Sequence, residues 1–414
     1  MDALRARCPV AATLVDHALY GQGTPHAIWA DLRRDAPVLR QVLPDGRAFW
    51  SVTSYRGASE VLRDTTTFTS ERGTLLYLLG RDDPAAGRQL VATDPPRHTV
   101  LRTPIQRVLA AKPVAAMRER LREPVCDTLA PLADGALCDL AERLRHLAVA
   151  VMGTLLDLPA QDWPRLADLS IASVAPEDPV FGRPGAGQSV LEDNHRELLT
   201  YFHDVVRLRR AHPGSDLVSL LIGTRWDGRL LNQAEVVSNC YSLLLGGSVT
   251  MSQVPATTLA ELMGTTTLDR WAADPSLLAG GVEEALRWAT PNTHFMRYAV
   301  QDVELGGQCV NAGDAVVVWL ASANRDEDVF SEPATFDVRR SPNKHLAFGI
   351  GPHYCVGHNI VRETLKLFFA ELFSRFTDLA PAGPGVRLHS HTISGWAALP
   401  ITARARTPHG LLAY

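Results

Sequence analysis

The chain has 414 residues, 46% of them hydrophobic and 21% charged, so it can bury a large core and leaves little room for extended disorder. A formal net charge of −4 supplies no field that would hold it on nucleic acid or an anionic membrane, which leaves small molecules and proteins as partners. Six cysteines (Cys8, Cys126, Cys138, Cys240, Cys309, Cys355) form no CxxC pair and no His-linked spacing, so neither a disulfide framework nor a zinc site is indicated.

In chain order, the first twenty residues carry Asp2, Arg5, Arg7 and Asp16 where an export signal needs an unbroken apolar core. Residues 38–53 read as a hairpin turned by Pro44-Asp45-Gly46. From Tyr55 to about Ala289 the periodicity is helical, broken at Asp94-Pro95-Pro96, at 182–187 and at Pro213-Gly214. Within that region residues 232–263 form one long apolar helical pattern with Pro255 predicted to bend it, because a missing N–H leaves the Met251 carbonyl unpaired. Residues 297–320 return to strands, with turns at Gly306-Gly307 and Gly313-Asp314. After an irregular stretch, Val361, Leu365, Phe368, Leu372 and Phe376 recur at helical spacing, and 386–403 contain a last β-like piece. The apolar runs at 147–156 and 315–321 fall short of the roughly 20 residues that span a bilayer. The expectation is one interleaved domain over 1–414, mainly α with a minor β portion, in the cytoplasm with no membrane association. Only Lys112, Lys344 and Lys366 are lysines among 41 basic residues, a bias of GC-rich bacterial codons.

The chemistry concentrates at Phe348-Gly349-Ile350-Gly351-Pro352-His353-Tyr354-Cys355-Val356-Gly357. Glycines before the cysteine let backbone approach something flat, and a helix N-terminus beyond it favours a thiolate. A buried structural thiol suits each of the other cysteines.

This loop resembles the signature FGxGxHxCxG of the cytochrome P-450 family of haem-thiolate oxidases at every defined position. The resemblance implies that family's fold, a single large triangular-prism-like domain. It implies haem b, with Cys355 as axial metal ligand, Phe348 and Gly349 beside the sulfur and His353 at a propionate; thiolate donation favours O–O cleavage. Glu284-Ala-Leu-Arg287 resembles the ExxR pair, which Arg340 completes as a structural network. Asp94-Pro-Pro-Arg-His98-Thr-Val-Leu-Arg102 and Arg297 resemble the other propionate contacts, His98, Arg102 and Arg297 being the cations that two buried carboxylates require.

Leu243-Leu-Leu-Gly246-Gly247-Ser248-Val249-Thr250 resembles the oxygen-binding stretch, but Val249 stands where an acid is usual. Thr250 is assigned to hydrogen bonding of dioxygen, although a mid-helix threonine also bonds back to the carbonyl four residues before it. Gln253, one turn on, is predicted to share the Thr250 face and hold water for proton delivery. Family topology places substrate against Leu76, Tyr77 and Leu79, against Val249, against Asn292, His294 and Phe295, and against Ile393 and Trp396, each of which reads equally as core. The implied partners are O2, a small organic substrate, and a ferredoxin with its reductase and NAD(P)H, docking at Arg107, Lys112, Arg362 and Lys366. The resemblance thus implies a monooxygenase of natural-product biosynthesis. A coupling or desaturating oxidase is the alternative within the class, and a haem sensor or silent recruitment partner the alternative outside it.

Overall fold

Helices dominate because apolar residues recur at three and four along most of the chain, and the finished molecule is 52% helix against 14% strand. A computed structural model describes residues 14–406. Cys8 lies outside them.

The main sheet has five strands in the order Val38–Val42, Ala48–Val52, Ala315–Trp319, His294–Ala299, Phe68–Thr69. The hairpin at 38–52 forms as its turn chemistry requires, pairing Arg40 with Trp50. Its inner strand then pairs parallel with Ala315–Trp319, Trp50 facing Val316, so early chain is stitched to late chain. That central strand is buried at every position, which is why its sequence is a continuous Ala-Val-Val-Val-Trp run.

The helical layer centres on Gln233–Met251, which starts in a capping box of Asn232 and Glu235. It packs against Leu140–Leu156 and Gly187–Ala211. Gly247 permits the first contact, since a Cβ there would lie 2.2 Å from Met152 Sδ. The long pattern is two helices rather than one: it stops at Met251 and restarts as Gln253–Leu262. Pro255 removes the donor for the Met251 carbonyl, as its ring chemistry requires, and the hydrogen-bond ladder is interrupted at Ser252 while that residue keeps helical φ and ψ of −61° and −32°. After Cys355 a helix runs from His358 to Arg375; Phe376, expected on it, instead opens a strand, Phe376–Pro381. Among the described residues no helix is long and apolar enough to cross a membrane.

Candidate active site

Cys355 sits where the irregular stretch meets the His358–Arg375 helix. Its N–H donates to the Phe348 carbonyl at 2.8 Å, closing the loop on itself. Gly349 and Gly351 both take positive φ, 68° and 79°, and a Cβ on Gly351 would come 2.6 Å from the Leu62 carbonyl oxygen. Burial pushes the Cys355 thiol up, while the Gly357 amide and the charges of Arg102 and Arg362 pull the other way.

A cavity of about 1230 Å³ opens over this loop, lined on one side by Phe348, Cys355 and Gly357 and on the other by Gly246, Val249 and Thr250. That exceeds the usual few hundred to 1,000 Å³ of a single-ligand site, so it has room for a large planar group and a second molecule together. Gly246 presents open space to it. Thr250 Oγ1 donates to the Gly246 carbonyl at 2.9 Å and keeps its lone pairs free toward the cavity.

Basic side chains gather at one edge. His98 and His353 have ring centroids 4.2 Å apart. Burial, the His353 charge and the Arg102 charge bring His98 down to about 3, and burial lowers Arg297 to about 10. Arg102 Nη2 donates only to the Tyr354 carbonyl, and Arg297 Nη1 only to the Met296 carbonyl. The nearby carboxylate, Asp94, is 3.7 Å from His353 and already accepts from the Ser70 amide. His98 Nε2 is buried with no hydrogen-bond partner among the described residues. His98, Arg102 and His353 thus line the cavity with Arg297 buried close to them, and a planar group carrying two carboxylates fits this basic set beside the single carboxylate of Asp94.

Beneath the loop, Glu284 and Arg287 are fully buried and pair bidentately at 2.7 and 2.8 Å. Arg340 Nε donates to both Glu284 oxygens at 3.1 Å, as expected, and Asn343 and the Asp337 amide add two more donors. Arg287 is further held by the carbonyls of Asn324 and Pro333.

Of the residues expected at substrate, Tyr77, Val249, Asn292, Phe295 and Ile393 line the cavity. Four do not. Leu76 and Leu79 turn away through a single 3₁₀ turn into a core with Trp29, Phe49 and Trp319, leaving Leu75 and Leu78 on the wall. His294 occupies the strand face opposite Phe295, where its Nε2 accepts from the Leu76 amide at 3.1 Å. Trp396 lies under Arg387, whose guanidinium is 4.3 Å from its ring centroid.

Gln253 is the main correction. It is 1% exposed, its Oε1 accepts from the Trp396 amide at 2.8 Å, and it does not line the cavity. Val254, four residues on from Thr250, takes the place on the cavity wall expected of Gln253, whose side chain is held instead by the Trp396 amide. Arg362 also differs from its expected docking role: it pairs bidentately with Glu283 at 2.7 and 2.9 Å and stacks on Phe348, 4.6 Å from the ring centroid. Reasoning from sequence missed Glu283, His345 and Asn343 below the loop, and His195, Tyr241 and Asp83 on the far wall. None carries a short motif; Tyr241 alone was recoverable, from its place in the 238, 241, 245, 249 face of the long helix.

A model of the cytochrome P-450 family matches residues 276–392. Cytochrome P-450 NovI of Streptomyces niveus is 34% identical over 397 residues, 94% of this chain and 95% of that protein. The cyclomarin C epoxidase CymV of Salinispora arenicola is 33% identical, over 89% of this chain and 92% of its own. Among solved structures, OxyD, a P-450 involved in the biosynthesis of vancomycin-type antibiotics, superposes with a TM-score of 0.84 at 30% identity, covering 95% of this chain and 99% of that one. The Mycobacterium marinum P-450 CYP268A2, solved with pseudoionone, gives 0.86 at 29% identity over 92% and 96%. Identity of this level across nearly the whole length leaves one assignment: the chain belongs to the cytochrome P-450 family, an enzyme whose cofactor is haem.

Proposed function

We propose that this oxidase is a cytoplasmic monooxygenase, one unit over 1–414, which takes electrons from a ferredoxin and its NAD(P)H-dependent reductase and oxidises a small molecule in natural-product biosynthesis. The observation that carries the reading is the cavity itself, which joins Cys355, the basic side chains His98, Arg102 and His353, and Thr250 in one space. Cys355 would ligate the iron. His98, Arg102, Arg297 and His353 would hold the propionates, with Phe348 and Gly349 shaping the sulfur's surroundings. When bound, the haem supplies oxygen activation at a thiolate-ligated iron.

The protein's own part is positioning and proton handling. Thr250 Oγ1 can give its proton to the Gly246 carbonyl, as it does here, or turn it into the cavity. No Asp or Glu occurs between Glu235 and Glu261, so the long helix offers hydroxyls alone. Ser238 and Ser242 line the same wall at i,i+4 spacing below Gly246 and Thr250. Names of relatives, an epoxidase of cyclomarin C and an N-oxygenase of nocardicin C, support secondary metabolism as the setting. For the electron donor, exposed Arg107 and Lys112, with half-buried Lys366, remain the docking cations, because Arg362 is neutralised by Glu283.

The reduced carbon monoxide spectrum tests the core of this reading. Wild type should give the red-shifted Soret band of a thiolate-ligated haem. Cys355→Ser should lose it, while Cys126→Ser, Cys138→Ser, Cys240→Ser and Cys309→Ser keep it. Retention of the band in Cys355→Ser removes the assignment.

A further inference from the structure

The cavity wall remote from Cys355 carries polar side chains that no protein group satisfies. Tyr77 and Tyr241 line it, and neither phenol has a hydrogen-bond partner among the described residues. His195, on the Gly187–Ala211 helix, stands edge-on to Tyr241 with ring centroids 5.4 Å apart, and its ring nitrogens are likewise unpartnered. Asp83 completes the set, half-buried on the same wall. One of its oxygens caps the Ala85 amide at 2.8 Å and the other is free.

Charge decides what such a wall takes. Burial keeps His195 neutral, bringing it down to about 4, and the cost of burial raises Asp83 with no cation to offset it. Four arginines line the cavity, with Asp82 and Glu192 also on it: Arg81 donates to Gln188 at 2.7 Å, Arg196 pairs with Asp193 at 2.9 Å, Arg102 donates to the Tyr354 carbonyl beside the cysteine, and none of these nor Arg88 forms an ion pair with Asp83. A carboxylate, two phenols and a neutral imidazole can all accept hydrogen bonds, and the phenol rings present negative faces. None of them is positive.

We infer that this wall, formed by Asp83, Tyr77, Tyr241 and His195, binds a positively charged nitrogen of the substrate and so selects amine-bearing molecules. The inference rests on the cavity being the substrate chamber proposed above. The amine end would sit against Asp83 and the opposite end would be presented to Thr250, so the pole far from the cysteine sets which carbon is oxidised.

The test measures binding of three ten-carbon probes to the haem-loaded protein by calorimetry: decyltrimethylammonium, decanol and decanoate. A quaternary ammonium cannot ligate iron, so its affinity reports the wall alone. Decyltrimethylammonium should bind about tenfold more tightly than decanol, and decanoate more weakly than either. Asp83→Asn keeps an oxygen for the Ala85 amide and should bring the ammonium down to the decanol level, with decanol itself changed less than twofold. Tyr241→Leu should also erode the ammonium preference. Equal binding of ammonium and decanol, or a preference that survives Asp83→Asn, overturns the inference. Failure of decanol to bind at all overturns it too, by removing the chamber reading beneath it, and the carbon monoxide spectrum reports the haem assignment separately.

Discussion

Thr250 shows how much one hydroxyl is asked to do when its neighbour is a hydrocarbon. Its proton is shared between the Gly246 carbonyl and the cavity, and Val249 beside it can neither donate nor relay. Thr250→Ala should therefore leave substrate binding within about twofold and divert several-fold more of the electrons into hydrogen peroxide, read as the ratio of peroxide to product. Unchanged coupling in that variant would assign proton delivery to solvent reaching the site past the broken helix. The same economy governs His98, whose unpartnered nitrogen makes sense only beside an anion the protein does not itself supply.

At the scale of elements, the Trp396 amide turns a proton-relay candidate into a fastener. Gln253 joins the restarted helix to the strand Trp396–Ala398, and through Gly395 to the turn that places Ile393 on the cavity wall. Gln253→Leu would strand the buried Trp396 amide, so it should cost about 1–3 kcal/mol of stability. Thermal unfolding checks this, together with a weaker substrate affinity and an unaltered peroxide ratio. What was legible beforehand follows from the same logic. The cysteine loop, the Glu284–Arg287 pair and the hairpin are local patterns, readable because their partners lie a few residues away. His294 and Trp396 were misplaced because Leu76 and Gln253, which fix them, are distant in sequence, and no spacing rule reports such pairs. Gln253 itself failed for the same reason, since the Trp396 amide that holds its side chain lies 143 residues away. A second element-level case is the clamp below the cysteine loop. Burial alone would raise Glu283, but hydrogen bonds from His345 and Arg362 outweigh it and hold the carboxyl near about 2. Its folded value lies below the unfolded one near 4.5, so the stability it contributes is complete above about pH 4.5 and is lost as pH falls toward 2. Glu283→Gln should lower the melting temperature at neutral pH by the equivalent of about 1–3 kcal/mol and flatten the acid limb of the Tm–pH profile.

Across the whole molecule, Glu284 is the point on which several separate segments converge. Arg287, Arg340, Asn343 and the Asp337 amide all donate to it, and through Arg287 the network also takes in the carbonyls of Asn324 and Pro333. Glu284→Gln leaves two buried guanidinium groups without their anion and should cost about 3–5 kcal/mol, seen as loss of folded, haem-loaded protein on expression. The main sheet, by contrast, depends on late chain. Its hairpin at 38–52 is completed by Ala315–Trp319, and at elongation rates of about 5–20 residues per second that strand leaves the ribosome roughly 13–50 s after its partner. During that interval the hairpin's inner edge is open, and Phe49, Trp50 and Val52 can pack only on early partners such as Trp29, Leu32, Ala58 and Val61, without the Val316, Val317 and Val318 that complete their clusters. The newborn polypeptide thus carries an unpaired sheet edge before Cys355 is made, and supplying extra haem to the cell cannot shorten that wait.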